Sequence, residues 1–316
     1  MLNFKHFLED GKRISNTDSA DVNEILYGYF MANENWNIFH GAADAKRQLE
    51  SKVKKITKSE YVDQEGRAKA MANETIKWMK ANGYGRVSEV WWTARPGVLA
   101  KAVGVDVDSR KNPTDVLVID NNGYPLGLSA KSTKTKGDIG FKNPGIGTID
   151  KSLNINLKKL YDDELEKTIK QFNLPETAAA RKKFIRENPG IQKQTTAIGI
   201  KLMANIRDEF MKKINSLSQD KLKEYLFSDW MDVSDGLYPP YIKVTGQGKG
   251  GNYSATLMDP LKNSKISALN TDKIKLSKVG NESIGVQAGT KKIMKMRVKF
   301  ESEKMASSIK FSGDPW

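Results

Sequence analysis

Residues 112–131 read NPTDVLVIDNNGYPLGLSAK, and this stretch decides the fold. Val116–Ile119 is a short apolar run, and Leu126–Lys131 alternates between apolar and polar positions, as strands do. The Asn-Gly step between the two runs favours a tight turn. The sequence therefore predicts a β-hairpin, with Asp115 at the start of its first strand and Lys131 at the end of its second.

Helical and strand patterns surround this hairpin. An amphipathic helix is predicted from about Ala20, and a second helical stretch covers Lys46–Lys80 with a break near Tyr61–Asp63. Val87–Thr93 is rich in β-forming residues and predicts a strand before the hairpin. The predicted fold class is α/β, with a mixed central β-sheet flanked by helices.

Composition limits the chemistry. The 316 residues include no cysteine and two histidines, His6 and His40, so disulfides, thiolate nucleophiles and two-histidine metal clusters are excluded. Any catalysis must rest on carboxylates, lysines and a bound cation. The chain has no apolar run long enough to cross a bilayer and begins without a secretion signal, so a cytoplasmic protein with no membrane partner is expected.

The net charge of +14 is the first functional clue. Such a surplus attracts polyanions, and lysine or arginine contacts to phosphate release condensed counterions. DNA is therefore the expected partner. A basic surface without a dedicated partner is the alternative, and charge does not separate DNA from RNA.

Three sections are predicted along the chain. Residues 1–150 form a core with N-terminal helices, residues 151–232 read as helical, and residues 233–316 form a β-rich portion that contacts DNA. In this last portion Lys295, Arg297 and Lys299 alternate with apolar residues, so one face of their strand would be cationic.

The hairpin carries the candidate chemistry. Asp115 and Lys131 are predicted to lie close together across the strand pair. Ser129 is two residues from Lys131, so both point to the same face. This face would present a carboxylate, a hydroxyl and an ammonium group to one phosphate, and Mg²⁺ is the cofactor that prefers such oxygen ligands.

The arrangement resembles the PD-(D/E)-x-K superfamily of restriction-endonuclease-like nucleases. Asp115 matches the first acidic position, with Pro113 before it and Thr114 inserted, and Lys131 matches the lysine. Ser129 stands where a second acidic residue is usual. The resemblance implies a restriction-endonuclease-like core and a Mg²⁺-dependent DNA endonuclease of restriction or homing type, in which Asp115, Ser129 and Lys131 are catalytic.

The resemblance covers Val87–Asn143 and the helix at Ala20–Ala32, and Ser129 leaves the second carboxylate open. Some members of the superfamily with Ser-x-Lys take an acid from a later element, which would be Asp138 or Asp150. Others take a glutamate from the first helix, and Glu24 fits if that helix packs through Gly28. Glu89, on the strand before Asp115, is another candidate metal ligand. Further carboxylates that stay open are Asp106 and Asp108.

Two groups of basic residues are predicted to contact DNA phosphates. The first, in a Lys/Thr/Gly-rich loop after Lys131, is Lys134, Lys136 and Lys142; the second is Lys295, Arg297 and Lys299. Enzymes that cut both strands of a duplex often dimerise, so a homodimer is expected. The rival interpretation is a catalytically inactive DNA-binding protein on the same fold, favoured by Ser129, or an RNA-binding protein.

Overall fold

The structure is a computed structural model that describes residues 2, 4, 6–9, 16–107, 112–134, 141–231, 233 and 238–316. The predicted fold class is confirmed: the protein is mixed α/β, with a mixed six-stranded sheet, a four-stranded antiparallel sheet, and helices flanking them. The chain divides into two compact units. One comprises residues 1–139 and 233–263, and the other comprises residues 140–232 and 264–316.

The first unit contains four α-helices and six strands within its described residues. The helices are α1 (Asn16–Met31), α2 (Ala42–Val53), α3 (Lys58–Ala81) and α4 (Val98–Val103). The strands are β1 (Phe39–His40), β2 (Val87–Trp92), β3 (Val116–Asp120), β4 (Pro125–Thr133), β5 (Tyr241–Lys249) and β6 (Asn252–Met258). The strands lie side by side in chain order, with β1–β2 and β4–β5 parallel and the other pairs antiparallel.

The predicted hairpin is confirmed as β3 and β4. Val116 lies opposite Leu128, and the pairing continues to the strand end next to the turn. At the turn Gly123 has a φ of 84°, a left-handed conformation that glycine adopts without strain. Asp120 Oδ1 accepts the backbone N–H groups of Asn122 and Tyr124 at 2.9 and 2.8 Å. The turn and the register therefore support each other.

Strand β5 joins this sheet from a distant part of the chain. It runs parallel to β4 from the pair Gly127–Tyr241 to the pair Thr133–Gln247. The sequence interpretation grouped β5 and β6 with the C-terminal β-rich portion, because a parallel pairing between distant segments leaves no local pattern. The two units consequently differ from the three predicted sections 1–150, 151–232 and 233–316.

The second helical stretch breaks at a different place from the one predicted. The break falls at residues 54–57, between α2 and α3, and Tyr61–Asp63 lies inside α3. Thr57 sets the start of α3, because its side chain accepts a hydrogen bond from the backbone N–H of Glu60, as an N-cap residue does. Helix α1 also begins about one turn earlier than predicted, at Asn16.

Helix α1 closes on the sheet through Gly28. A Cβ atom on Gly28 would lie 2.9 Å from Phe39 Cε2 and 3.4 Å from Val90 Cγ1. Val22, Ile25 and Leu26 on the same helix are fully buried in the core that covers this face of the sheet. Each such side chain contributes about 1.5–3 kcal/mol when fully buried. The close approach at Gly28 carries Glu24, one turn earlier, towards the strand ends.

The second unit combines helices with the antiparallel sheet. Its described helices are α5 (Ile146–Leu153), α6 (Leu157–Phe172), α7 (Ala178–Glu187), α8 (Pro189–Asn215), α9 (Gln219–Tyr225) and α10 (Ser264–Thr271). Its strands are β7 (Ile274–Val279), β8 (Ser283–Ala288), β9 (Lys291–Phe300) and β10 (Ile309–Pro315), in the order β10-β9-β8-β7. Within the described ranges, no helix combines the length and apolar character needed to span a membrane.

Substitution of Gly28 tests the contact between α1 and the sheet. We expect Gly28→Val to lower the free energy of unfolding by about 1–3 kcal/mol, because the added atoms would overlap Phe39 and Val90 in a packed core. Urea titration followed by tryptophan fluorescence measures the change. Gly147→Val in α5 is the control, since no atom lies within 4 Å of its Cβ position. Equal destabilisation by both variants would contradict the close approach.

Candidate active site

Asp115 is held at the end of β3 by the backbone of β4. Its N–H donates to the carbonyl of Leu128 at 3.0 Å, and its Oδ2 accepts the N–H of Ala130 at 2.7 Å. The carboxylate is half-buried. These two contacts follow from the register of the hairpin, so the position predicted for Asp115 at the entrance of the first strand is confirmed.

Glu24 lies near Asp115, at the end of the sheet where β2 stops. Glu24 Oε2 accepts a hydrogen bond from Trp92 Nε1 at 3.1 Å, and Trp92 is the last residue of β2. Thr93, the next residue, donates its backbone N–H to the carbonyl of Asp115 at 3.1 Å. The sequence interpretation required α1 to pack through Gly28 for Glu24 to approach, and α1 does pack there.

The electrostatics of Glu24 link it to both hairpin residues. Burial, followed by the negative charge of Asp115, raises the pKa of Glu24 to about 8. The hydrogen bond from Trp92 and the positive charge of Lys131 act in the opposite direction. Burial and the charge of Asp115 also raise the pKa of the Tyr27 hydroxyl on α1. The charge of Asp115 therefore affects two side chains of α1, Glu24 and Tyr27, and the charge of Lys131 affects Glu24 as well.

Ser129 and Lys131 differ in their surroundings. Ser129 is 3% exposed and is paired in register with Lys243 of β5, whereas Lys131, two residues before the end of β4, is exposed. The hydroxyl of Ser129 is therefore covered by the sheet rather than presented to solvent. Of the two side chains, only that of Lys131 is open to solvent.

Glu89 is not brought to this group. Its Oε2 lies 2.8 Å from His40 Nε2 and 3.2 Å from Trp91 Nε1. The His40 and Trp91 rings stack at 3.9 Å between centroids. Side chains alternate along β2, so Glu89 and Trp91 point away from the face on which Trp92 meets Glu24. Glu89 was a candidate because it lies on β2, the strand that pairs with β3. The local sequence does not show to which face of the sheet its side chain points.

Asp138 and Lys136 lie outside the described residues. Lys134 forms an ion pair with Glu60 of α3, with Nζ and Oε2 2.7 Å apart. In the second unit, Lys142 Nζ donates to the carbonyl of Ser228 at 2.9 Å. Asp150 accepts the N–H groups at the start of α6, which makes it a capping residue in the second unit.

The second predicted basic group lies on β9. Lys295, Arg297 and Lys299 are half-buried and alternate with the buried residues Met296 and Val298. Arg297 Nη2 pairs with Asp314 of β10 at 3.1 Å. Burial, together with the charge of Arg297, lowers the pKa of Lys299. The alternation predicted for this strand is present, and its polar face is only partly neutralised by Asp314.

The sequence interpretation missed a polar stripe on α3. Glu60, Gln64 and Arg67 are all buried, and they line a cavity of about 320 Å³ together with Glu24 and Lys131. Spacings of three and four residues place polar side chains on one helix face, and this was the signal available. The stripe borders the same cavity as Glu24 and Lys131 because α3 packs beside α1, which the sequence alone does not specify.

The acidic pair fits a hard divalent cation. Among the residues that the structure describes, no cluster of three or more His, Cys, Asp or Glu side chains is suited to hold a metal. Mg²⁺ commonly takes one or two carboxylates and keeps several waters, so Glu24 and Asp115 suffice as protein ligands. Burial is the main cause of the raised pKa of Glu24 and the charge of Asp115 is the second; a bound cation would reverse the repulsion between the two carboxylates.

Neither a scan with protein-family models nor a search of curated proteins finds a match to this chain.

The raised pKa of Glu24 predicts a pH-dependent stability. Between about pH 4.5 and pH 8 the folded protein keeps a proton that the unfolded chain has released, so stability falls as the pH rises through this window. Glu24→Gln removes this loss. The free energy of unfolding of Glu24→Gln minus that of wild type should be larger at pH 9 than at pH 5, by on the order of 2 kcal/mol. This is less than the full pKa shift would give, because Glu24 is partly solvated.

Urea unfolding of both proteins at pH 5 and pH 9, without divalent metal, measures this difference. Glu89→Gln, on the opposite face of β2, is the matched control. A gain for Glu24→Gln that is the same at both pH values would reject the assignment of the raised pKa to Glu24.

Proposed function

We propose that this protein is a Mg²⁺-dependent DNA endonuclease that hydrolyses phosphodiester bonds, and that it is of restriction or homing type. One observation carries the proposal: Glu24, Asp115 and Lys131, from a helix and two paired strands, influence each other electrostatically at one end of the sheet. Structural ion pairs also perturb pKa values, but a half-buried acid pair beside an exposed lysine is typical of sites that bind a cation and an anion together.

The acidic residues of the site have the role of holding the ion. Glu24 and Asp115 would bind Mg²⁺ through carboxylate oxygens, with Asp115 oriented by the N–H of Ala130 and Glu24 by the indole of Trp92. When bound, the ion lowers the pKa of a coordinated water and offsets charge on the phosphate. Because Glu24 holds a proton up to about pH 8, ion binding must displace that proton, so Mg²⁺ affinity should rise with pH.

Lys131 has the role of binding the phosphate. Lys131 is exposed, lies two residues before the end of β4, and its positive charge acts on Glu24. An ammonium group in this position donates hydrogen bonds to a phosphate oxygen and stabilises the charge that develops during hydrolysis. Ser129 contributes to the packing of β4 against β5 rather than to contact with substrate, because it is 3% exposed.

The net charge of +14 supports DNA as the partner, since each phosphate contact by lysine or arginine adds an electrostatic contribution to binding. A second candidate function is DNA binding without hydrolysis. The observation that favours it is the buried Ser129 at the position where the nuclease superfamily usually has a second acid. Glu24 of α1, which would supply the second carboxylate, favours the enzyme over DNA binding without hydrolysis.

A cleavage assay tests the proposal. Supercoiled plasmid with Mg²⁺ should be nicked or linearised by wild type, and EDTA should abolish the reaction. We expect Asp115→Asn, Glu24→Gln and Lys131→Ala each to lower the rate on the order of 10²-fold or more, because each removes a charge or ligand at the reacting phosphate. Agarose-gel time courses measure the rates.

Matched controls are Glu89→Gln for the acids and Lys77→Gln for the lysine, since Lys77 is an exposed α3 residue paired with Glu74. Both controls should cut like wild type. Cutting that persists in EDTA or in Asp115→Asn would reject the proposed site. Salt-sensitive binding of DNA without cutting would support the second candidate, and structured RNA in a parallel reaction separates an RNA substrate from DNA.

The β9 face predicts a salt-dependent contribution to DNA binding. We expect Lys295→Gln and Lys299→Gln each to weaken binding of a short duplex and to lower the slope of log Kd against log salt by about 1 per lost phosphate contact. Fluorescence anisotropy in EDTA measures both quantities. Lys158→Gln and Lys159→Gln are controls in the same unit, because these lysines pair with Asp162 and Asp163 on α6. If the slope of log Kd against log salt were the same for all four variants, β9 would be excluded from the DNA interface.

A further inference from the structure

A buried arginine with incomplete hydrogen bonding lines the cavity beside Glu24 and Lys131. Arg67 of α3 is 1% exposed, and its Nη1 donates to Ser132 Oγ at 2.8 Å. Its Nε and Nη2 atoms have no hydrogen-bond acceptor among the described residues. A guanidinium group cannot lose its charge by deprotonation in a protein, so both donors stay charged and unsatisfied in a residue that borders the cavity.

Asp63 is the carboxylate that pairs with the guanidinium, and it does not complete the hydrogen bonding. Arg67 Nη2 and Asp63 Oδ2 are 3.5 Å apart. Asp63 Oδ1 accepts the N–H of Gly250 and the hydroxyl of Tyr253, both at 2.9 Å. These contacts hold the carboxylate towards the β5–β6 turn, so it balances part of the charge on Arg67 without forming a bidentate pair.

A hydrogen-bonded chain fixes the orientation of Arg67. Ser132 Oγ donates to Gln64 Oε1 at 2.7 Å, which leaves the oxygen of Ser132 to accept from Arg67. Gln64 Nε2 donates to Ser19 Oγ at 2.7 Å and to Glu60 Oε1 at 2.9 Å. The donors of Arg67 are therefore held in place before any ligand arrives, which lowers the entropy lost on binding.

The charges that line the cavity favour an anion. Arg67, Lys131 and Lys134 contribute three positive charges, against the two carboxyl groups of Glu24 and Glu60. The pKa of Glu24 is raised to about 8, so below this pH its carboxyl group is mostly neutral. The acidic Glu60 is already occupied by Ser19, Gln64 and Lys134. The side chain of Lys134 is 57% exposed, so its ammonium group, which has three N–H donors, can contact a ligand while it keeps its ion pair with Glu60. An oxyanion with several acceptor oxygens matches the forked donors of an arginine beside a lysine.

We propose that this cavity is a phosphate pocket in which Arg67, with Ser132 and Lys134, binds a phosphate group of a nucleic-acid strand next to the phosphate that is cut. The identification of the ligand as part of a nucleic acid rests on the proposed function; the pocket itself rests on the unsatisfied guanidinium. The phosphate is either the terminal monophosphate of a strand or an internal phosphodiester, and both present the same oxygens to Arg67.

The first experiment uses inorganic phosphate as the probe, with the full chain in EDTA at constant ionic strength. Phosphate should raise the thermal unfolding midpoint of wild type, and chloride should not. Lys134→Gln and Arg67→Lys should each weaken the apparent phosphate affinity by roughly tenfold, since lysine keeps the charge of Arg67 but not its fork. Ser132→Ala should weaken it as well. If Arg67→Lys does not fold, Ser132→Ala and Lys134→Gln carry the test.

Lys77→Gln is the matched control, because it removes an exposed lysine of the same helix that pairs with Glu74 instead of lining the cavity. It should bind phosphate like wild type. Three results would overturn the pocket: no effect of phosphate on wild type, an equal loss in Lys77→Gln, or unchanged affinity in the pocket variants that fold.

The second experiment separates the two sources of phosphate. Duplexes with 5′-phosphate, 3′-phosphate or hydroxyl ends are titrated in EDTA against wild type and Lys134→Gln. Tighter binding of one phosphorylated end, lost in the variant, assigns a terminal phosphate. An equal loss for all three duplexes assigns an internal phosphodiester, and no loss for any of them overturns the proposal.

Both experiments exclude divalent metal, so their outcome is independent of cleavage. Phosphate binding without Mg²⁺-dependent cutting would reject the nuclease and keep the pocket. Cutting without phosphate binding at Arg67 would keep the nuclease and reject the pocket.

Discussion

The register of β3 against β4 is the constraint on which the candidate site depends. Asp120 and Gly123 hold a turn that places Val116 opposite Leu128, and the same register sets Asp115 against the N–H of Ala130. A slip of one residue would turn every side chain of β4 to the other face of the sheet. The core contacts of β4 and the positions of its terminal polar residues would be lost together.

Helix α1 supplies a second carboxyl group near the hairpin, that of Glu24. Its contact through Gly28 places Glu24 beside Trp92 and within the electrostatic influence of Asp115. Burial, followed by repulsion from Asp115, raises the pKa of Glu24, so this carboxyl group keeps a proton in the folded protein. If Glu24 and Asp115 bind a divalent cation as proposed, proton and cation compete for Glu24, and the binding of the cation depends on pH.

Local signals in the sequence were sufficient for part of this site. The Asn-Gly turn and the apolar runs beside it predicted Asp115 and Lys131 at strand ends; in the structure Asp115 directly precedes β3, and β4 continues two residues beyond Lys131. Glu24 was one of several open carboxylates, and Glu89 was equally plausible until its strand face was known. The polar stripe on α3, which includes Arg67, carried a helical spacing but no indication of what it faced.

By itself the sequence determined the hairpin, the α/β class and the kinds of side chain available for chemistry. Turns and strand patterns depend on residues that are adjacent in the chain, and composition depends on no contacts at all. Only the tertiary structure decided that β5 lies beside β4, that Glu24 comes within the electrostatic influence of Asp115, and that Arg67 is buried beside Ser132. Each of these interactions joins segments far apart in the chain. Their formation depends on packing of whole helices and strands, which no local pattern records.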